Sequence, residues 1–239
     1  MTEETDAGGP QQAPIETDGR IRDKLVAAKE SWAREGRGLT GAAGDPARDR
    51  LPPGQRLVTD WPVLDLGVVP RVTTETWTLA VDGLVERPLV WRWADFLAQP
   101  QERVVSDIHC VTSWSRYDNR WEGVRTRRLL ALVGPKPEAR FVVCHSSDGY
   151  TTNLPLDAFA DDDALLAARW EGEPISRDHG GPVRVVVPRL YFWKSAKWLK
   201  RLELVAEDRR GYWEVRGYHN DADPWKEERY AGQDGNIPE

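Results

Sequence analysis

Cysteine is nearly absent: the chain has two, Cys110 and Cys144, in 239 residues. Two thiols cannot build the multi-bridge framework of a small secreted domain, and no CxxC pair offers zinc-site spacing. A reducing, cytoplasmic setting is the expectation. Long apolar runs are missing as well. No stretch approaches the roughly 20 residues needed to cross a bilayer, so no membrane span is expected. The opening MTEETDAGGPQQAP is acidic and lacks a basic n-region, an apolar core or a twin arginine, so no export signal is read there. Excess positive charge is also lacking: 33 Lys and Arg against 39 Asp and Glu leave a net charge of −6. Such a chain is a poor general partner for nucleic-acid phosphates. What is abundant is tryptophan, 12 residues, of which only Trp32 precedes residue 61.

That asymmetry divides the chain. Residues 1–55 read as a polar, Gly- and Pro-rich tail, a docking helix and a linker. Within them Ile21, Leu25, Ala28 and Trp32 repeat at i, i+4, i+7 and i+11, one face of a helix. Residues 56–239 read as the functional domain, built of short strands and turns. TWTLAVDGLV and LKRLELV alternate, with Asp82-Gly83 as a turn, and VVSDIHCV and FVVCHSS are strand-like. PVRVVVP predicts a buried strand, and TRRLLALVGP a short helix stopped at Gly134-Pro135. DDDALLAARW is helical by propensity and strand-like by length. The class is α+β, with strand-rich mixed sheets and short helices.

Three segments could carry chemistry. Cys110, in IHCVTSWS, closes a strand in polar company; its thiolate is either a soft metal ligand or a small buried thiol. Cys144, inside FVVC, reads as a core thiol. His109 would point to the face opposite Cys110, which weakens a Cys–His nucleophilic pair. The second segment is DHGGPVRVVVPRLYFWKSAKWLKRLEL. There Arg184 interrupts an apolar strand and needs a carboxylate or a bound phosphate. Gly180-Gly181 would let backbone approach a ligand. Its later basic residues interleave with Tyr191, Phe192, Trp193 and Trp198, which leaves an RNA-binding module as an alternative. The third, GYWEVRGYHNDADPWKEERY, is either a functional loop or a strap that buries its rings.

In this order, IHCVTSWS, HGGPVRVVVP, KSAKWLKRLEL and GYHNDADPW resemble the sulfite oxidase family of molybdenum enzymes, and in particular its bacterial branch related to the methionine-sulfoxide reductase catalytic subunit. The resemblance covers roughly residues 56–239. It implies a sulfite oxidase-type molybdopterin-binding domain with molybdenum and molybdopterin as cofactors. Cys110 matches the metal-ligating cysteine; His179 and Arg184 match contacts to the pterin and its phosphate; Ser195, Ala196 and Lys197 match an anion-cradling turn. Leu64 and Asp65, in WPVLDLG, and His145 fall at further cofactor contacts, and Tyr218 at the active-site tyrosine. One departure stands out. The classical sulfite oxidases of the family carry an arginine shortly after the metal cysteine, where it helps bind the sulfite anion, whereas CVTSWSR puts Ser115 near that place and Arg116 one residue away. The implied activity is oxygen-atom transfer to or from a small substrate, either a sulfite-like anion or an S- or N-oxide. Electrons would pass to or from a separate donor or acceptor protein, and the chain would act as a cytoplasmic monomer. The alternatives are a dedicated sulfoxide or N-oxide reductase and, from other classes, a non-enzymatic molybdopterin carrier or the RNA-binding module.

Overall fold

Alternating burial drives the strands of the computed structural model, which describes Ala27 and residues 50–232. Apart from Ala27, the expected docking helix around residues 21–32 lies outside the described residues. Along the described chain follow β1 (Arg56–Leu57), β2 (Thr78–Gly83), β3 (Leu89–Arg92), α1 (Trp93–Leu97), β4 (Glu102–Cys110), β5 (Trp114–Arg125), α2 (Thr126–Val133), β6 (Phe141–Ser146), β7 (Thr151–Pro155), α3 (Leu156–Phe159), β8 (Leu165–Trp170), β9 (Glu173–Pro174), β10 (Arg184–Val186) and β11 (Leu199–Val205). One sheet runs β1-β5-β8-β10, with β4 on β5 and β9 on β8; the other runs β3-β2-β11-β6-β7. The late strand β11 enters the middle of the second sheet, parallel to β2 and antiparallel to β6. This is the strand-rich α+β class expected.

The segment with mixed signals resolves as β8. Leu165, Leu166 and Ala167 are wholly buried between β5 and β10, and covering on both faces suits a short apolar run to a strand. Helix α2 buries Leu129, Leu130 and Val133 and ends at Gly134, whose left-handed φ of 63° needs no Cβ penalty. Trp77, Trp121 and Trp198 are almost wholly buried. Each takes roughly 150–250 Å² from water, at most about 4–6 kcal/mol of transfer free energy at 25 cal/mol per Å². Two of them also pin distant chain: the Trp77 indole donates to the Leu199 carbonyl and that of Trp198 to the Arg177 carbonyl, at 2.8 and 2.7 Å.

Packed chain begins before the expected boundary at 55/56. LPPGQ reads as linker, yet Leu51 and Gln55 are buried. The Gln55 side chain donates to the Cys110 carbonyl at 3.0 Å, and Arg50 pairs with Asp107 and Asp118 at 2.5 and 2.7 Å. A buried amide side chain and paired charges outweigh a loop-like composition.

Candidate active site

The end of β4 decides where the thiol goes. A register shift between Ser106 and Ile108 breaks its alternation, so that Ile108, His109 and Cys110 are all buried. A tight turn over residues 111–113 follows, with Ser113 at a φ of 69° and its N–H on the Cys110 carbonyl at 3.0 Å. Cys110 faces a cavity of about 830 Å³, counted with its open mouth, and its Sγ lies 3.1 Å from the Thr112 hydroxyl. His109 turns the other way, as pleating requires, to the Ser115 hydroxyl at 2.8 Å. Neither cysteine is in a disulfide; Cys144 is sealed in the core, where burial pushes its thiol up to about 12.

A basic group forms a second part of the cavity wall. Arg184 is 2% exposed, and its guanidinium donates to the carbonyls of His179 and Ser195 at 2.7 and 2.8 Å. No carboxylate among the described residues pairs with it; its faces meet Phe192 and Trp61 at 4.2 and 5.3 Å. Burial pushes it down to about 9, which leaves it charged at neutral pH. His179 stacks on Trp61 at 3.8 Å between centroids. Burial, then the Arg184 and Lys197 cations, push its imidazole down to about 4. Lys197 reaches the Asp178 carbonyl at 2.6 Å.

The aromatic strap near the C-terminus closes the other side. It buries Trp213, Tyr218 and Tyr230, whose rings pack in sequence with centroids 5.1 and 5.6 Å apart. The Tyr218 hydroxyl has no hydrogen-bond partner among the described residues. Burial, then the neighbouring Tyr230 and Cys110, hold it well above the ordinary phenol range.

The cavity thus brings together Leu64, Asp65, Cys110, His179, Arg184, Ser195, Lys197 and Tyr218. Two expected residues stay out. His145 neighbours Ser146, which lines the cavity, so the pleat sends the imidazole to the opposite face, 3.2 Å from Glu203. Ala196 is 1% exposed, with its methyl in the core and its carbonyl taken by the Val185 N–H at 2.9 Å. The two glycines serve packing rather than a ligand: a Cβ on Gly180 would stand 2.7 Å from that of Lys197, and one on Gly181 would strike the Ile175 carbonyl. The RNA-binding alternative loses its surface, because Tyr191, Phe192, Lys194 and Trp198 are buried. Sequence reading missed Trp61, Asp148, Tyr150 and Trp213 in the wall. The surplus of Trp was the available signal, but spacing alone does not say which rings meet.

Three features test whether this wall suits an anionic pterin and a thiophilic metal. A soft sulfur donor opens on the cavity. The buried guanidinium in the same cavity lining has carbonyl partners and, among the described residues, no acid, so an anion would complete its charge balance. His179 Nδ1 and Ser146 Oγ are buried in the same wall without a hydrogen-bond partner among the described residues. The residues fit the group.

Comparison with known proteins agrees. The oxidoreductase molybdopterin binding domain matches residues 66–213, a span that holds Cys110, His179, Arg184 and the 195–197 turn and stops short of Tyr218. An uncharacterised oxidoreductase of Bacillus subtilis, YuiH, is 47% identical over 76% of this chain and 92% of that protein. The protein-methionine-sulfoxide reductase catalytic subunit MsrP of Campylobacter jejuni is 29% identical over 59% of this chain and 53% of its own length. Among solved structures, the sulfane dehydrogenase SoxCD of Paracoccus pantotrophus is similar at a TM-score of 0.54 and 25% identity, over 58% of this chain and 40% of that one. The chain therefore spans about half of MsrP and less of the SoxCD chain. With the match over most of the described residues, the chain is an oxidoreductase of sulfite oxidase-type fold and belongs to the oxidoreductase molybdopterin binding domain family.

Proposed function

We propose that the chain transfers an oxygen atom to or from a small neutral substrate, an S-oxide or N-oxide and its reduced form. When bound, the molybdenum–molybdopterin group supplies a two-electron centre, cycling between molybdenum VI and IV, that exchanges the oxygen. Cys110 would hold the metal through its thiolate. Arg184, Lys197, His179 and Ser195 would hold the pterin and its phosphate, with Leu64 and Asp65 beside them. Tyr218 would donate its unpartnered hydroxyl to the oxygen being transferred, a bond that strengthens as charge builds there. Electrons would pass to or from a separate redox protein, and the two thiols outside any disulfide support a cytoplasmic setting.

The observation that carries the neutral substrate is that, among the described residues, no cation outside the basic group lines the cavity; Arg229, which donates to the Val111 carbonyl at 2.7 Å, is not part of the lining. Among the described cavity-lining residues the cations are Arg184 and Lys197, both in the basic group. Arg116, one residue from the family arginine's place, is turned away: it donates to Asn119 at 2.5 Å, reaches Glu171 at 3.3 Å and lies over Trp170. Ser115 in that place is wholly buried against His109. Asp148 adds a carboxylate to the wall. A desolvated anion without a partner loses several kcal/mol, roughly a hundredfold or more in binding. Steady-state turnover of the purified holoenzyme, with a dye donor and an aryl methyl sulfoxide or amine N-oxide against sulfite with a dye acceptor, tests this. A kcat/KM for the neutral oxide at least about a hundredfold above that for sulfite is expected. Efficient sulfite oxidation overturns it.

A further inference from the structure

We propose that Lys194 and Glu214 form a positioning pair that holds Trp193 and the strap residue Tyr218 in place beside the cavity; the role rests on the oxygen-transfer reading of Tyr218. Both side chains are wholly buried, with their charged atoms 2.7 Å apart. Neither lines the cavity. Glu214 lies on the single turn Glu214–Arg216, one residue after Trp213 and four before Tyr218, which do line it. Its Oε1 receives three donors: Lys194 Nζ, the Thr152 hydroxyl at 2.9 Å and the Trp193 indole N–H at 3.0 Å. Lys194 also donates to the backbone and side-chain oxygens of Asn153, both at 3.0 Å. Asn153 in turn donates to Asp208 and Asn220 at 2.7 and 2.9 Å. One ion pair therefore ties strand β7, the turn Phe192–Lys194 and the strap together.

The rings carry that fixation to the cavity. Trp193 meets Tyr218 edge-on at 5.1 Å, and its carbonyl takes the Tyr150 hydroxyl at 2.6 Å. Gly211 permits the close approach, since a Cβ there would stand 2.8 Å from Glu214 Oε2. Stability is a poor reason for such a pair. The cost of desolvating two charges rivals their attraction, and apolar replacements of similar volume are often neutral or stabilising. Glu214 Oε2 even lacks a partner among the described residues. What an apolar pair cannot supply is an acceptor for the Trp193 N–H and the Thr152 hydroxyl. Without it Trp193 can turn, and Tyr218 loses the edge contact that aims its hydroxyl.

Two double variants separate positioning from stability. Lys194→Met with Glu214→Leu removes both charges and the acceptor; Lys194→Met with Glu214→Gln removes the charges and keeps an amide oxygen. Each is assayed for kcat and KM with the oxide substrate, for thermal melting, and for hydrogen exchange of the Trp193 indole N–H by NMR. The Met/Leu pair, which leaves the Trp193 N–H and the Thr152 hydroxyl without their acceptor, should melt below wild type, exchange that N–H about a hundredfold faster, and, assayed well below its melting temperature, lose kcat about tenfold to a hundredfold with little change in KM. The Met/Gln pair should recover most of both. A Met/Leu variant with wild-type kcat and a protected indole overturns the proposal. So does a loss of kcat that merely tracks melting temperature in both variants. Should Met/Leu not fold, replacing Trp193 by 3-benzothienylalanine keeps a bicyclic ring of the same shape against Tyr218 and deletes the N–H, and a loss of kcat with little change in melting temperature is expected. Indole exchange is read without turnover, so failure of the oxygen-transfer reading leaves a distinct signature: fast exchange in Met/Leu with no activity in wild type.

Discussion

The Arg184 guanidinium and the Tyr218 hydroxyl, on two sides of the cavity, stand in opposite states of hydrogen bonding among the described residues. Around Arg184 the donors are spent on backbone carbonyls, and His179 lies flat on Trp61. Around Tyr218 the hydroxyl is left unpartnered among rings. A binding surface gains from side chains locked before the ligand arrives, because little ordering entropy is then lost. A reacting group gains from a hydrogen bond that is unmade in the resting protein and made as charge develops. The difference fits the proposal that one wall holds the cofactor and the other acts on the substrate, with the Lys194–Glu214 pair proposed to support the second.

The harshest way to break this comparison is to remove the thiol. Cys110→Ser should abolish turnover while the protein melts as wild type, since a hard oxygen replaces a soft donor at the cavity face. Residual wild-type rates would contradict it. Next comes Tyr218→Phe, which keeps the ring and deletes the hydroxyl. With no protein partner for the hydroxyl among the described residues, melting should hardly move, whereas the oxygen-transfer half-reaction should slow about tenfold to a thousandfold in stopped flow. A less stable variant with normal rates would make the hydroxyl structural.

The basic group should respond differently. Arg184→Met removes a charged donor from the proposed phosphate contact and takes the guanidinium from the buried Ser195 carbonyl and the partly buried His179 carbonyl. Cofactor affinity should fall about ten- to a hundredfold, and the cofactor-free protein should itself lose about 1–3 kcal/mol. Full occupancy with a normal melting curve would show that the guanidinium does neither. The smallest effect concerns pH. The folded state holds His179 at about 4, below the ordinary value of 6.5. Its contribution to stability is therefore complete above pH 6.5 and is lost as pH falls toward 4, where the unfolded imidazole binds a proton and the folded one does not. His179→Phe, which keeps a ring for Trp61, should flatten the melting-temperature profile in that window; an unchanged profile contradicts the assignment.

Much of this contrast was legible in the sequence. Alternation and β-branched runs located β2, β6, β10 and β11, and Gly134 marked the end of α2. The ordered motifs placed Cys110, His179, Arg184 and Tyr218, which the fold then gathers on one cavity. What stayed hidden depends on direction rather than on identity. His145 and Ser146 are adjacent, and only the pleat decides which of them faces inward. Lys194 belongs to a basic, aromatic run that reads as surface, yet Glu214, twenty residues on, draws it into the core. Composition likewise suggested a linker at residues 51–55, because burial of Gln55 depends on a strand end 55 residues away.

The central claim is that the Cys110 sulfur, and not that of Cys144, holds molybdenum at the cavity. X-ray absorption at the molybdenum edge, on protein made in a host that supplies the cofactor, tests it most directly. The wild type should carry about one molybdenum per chain, following the single cavity-facing thiol, with one more sulfur neighbour than Cys110→Ser, while Cys144→Ser keeps the wild-type spectrum. An unchanged sulfur shell in Cys110→Ser, or protein that takes up no molybdenum, would contradict the account.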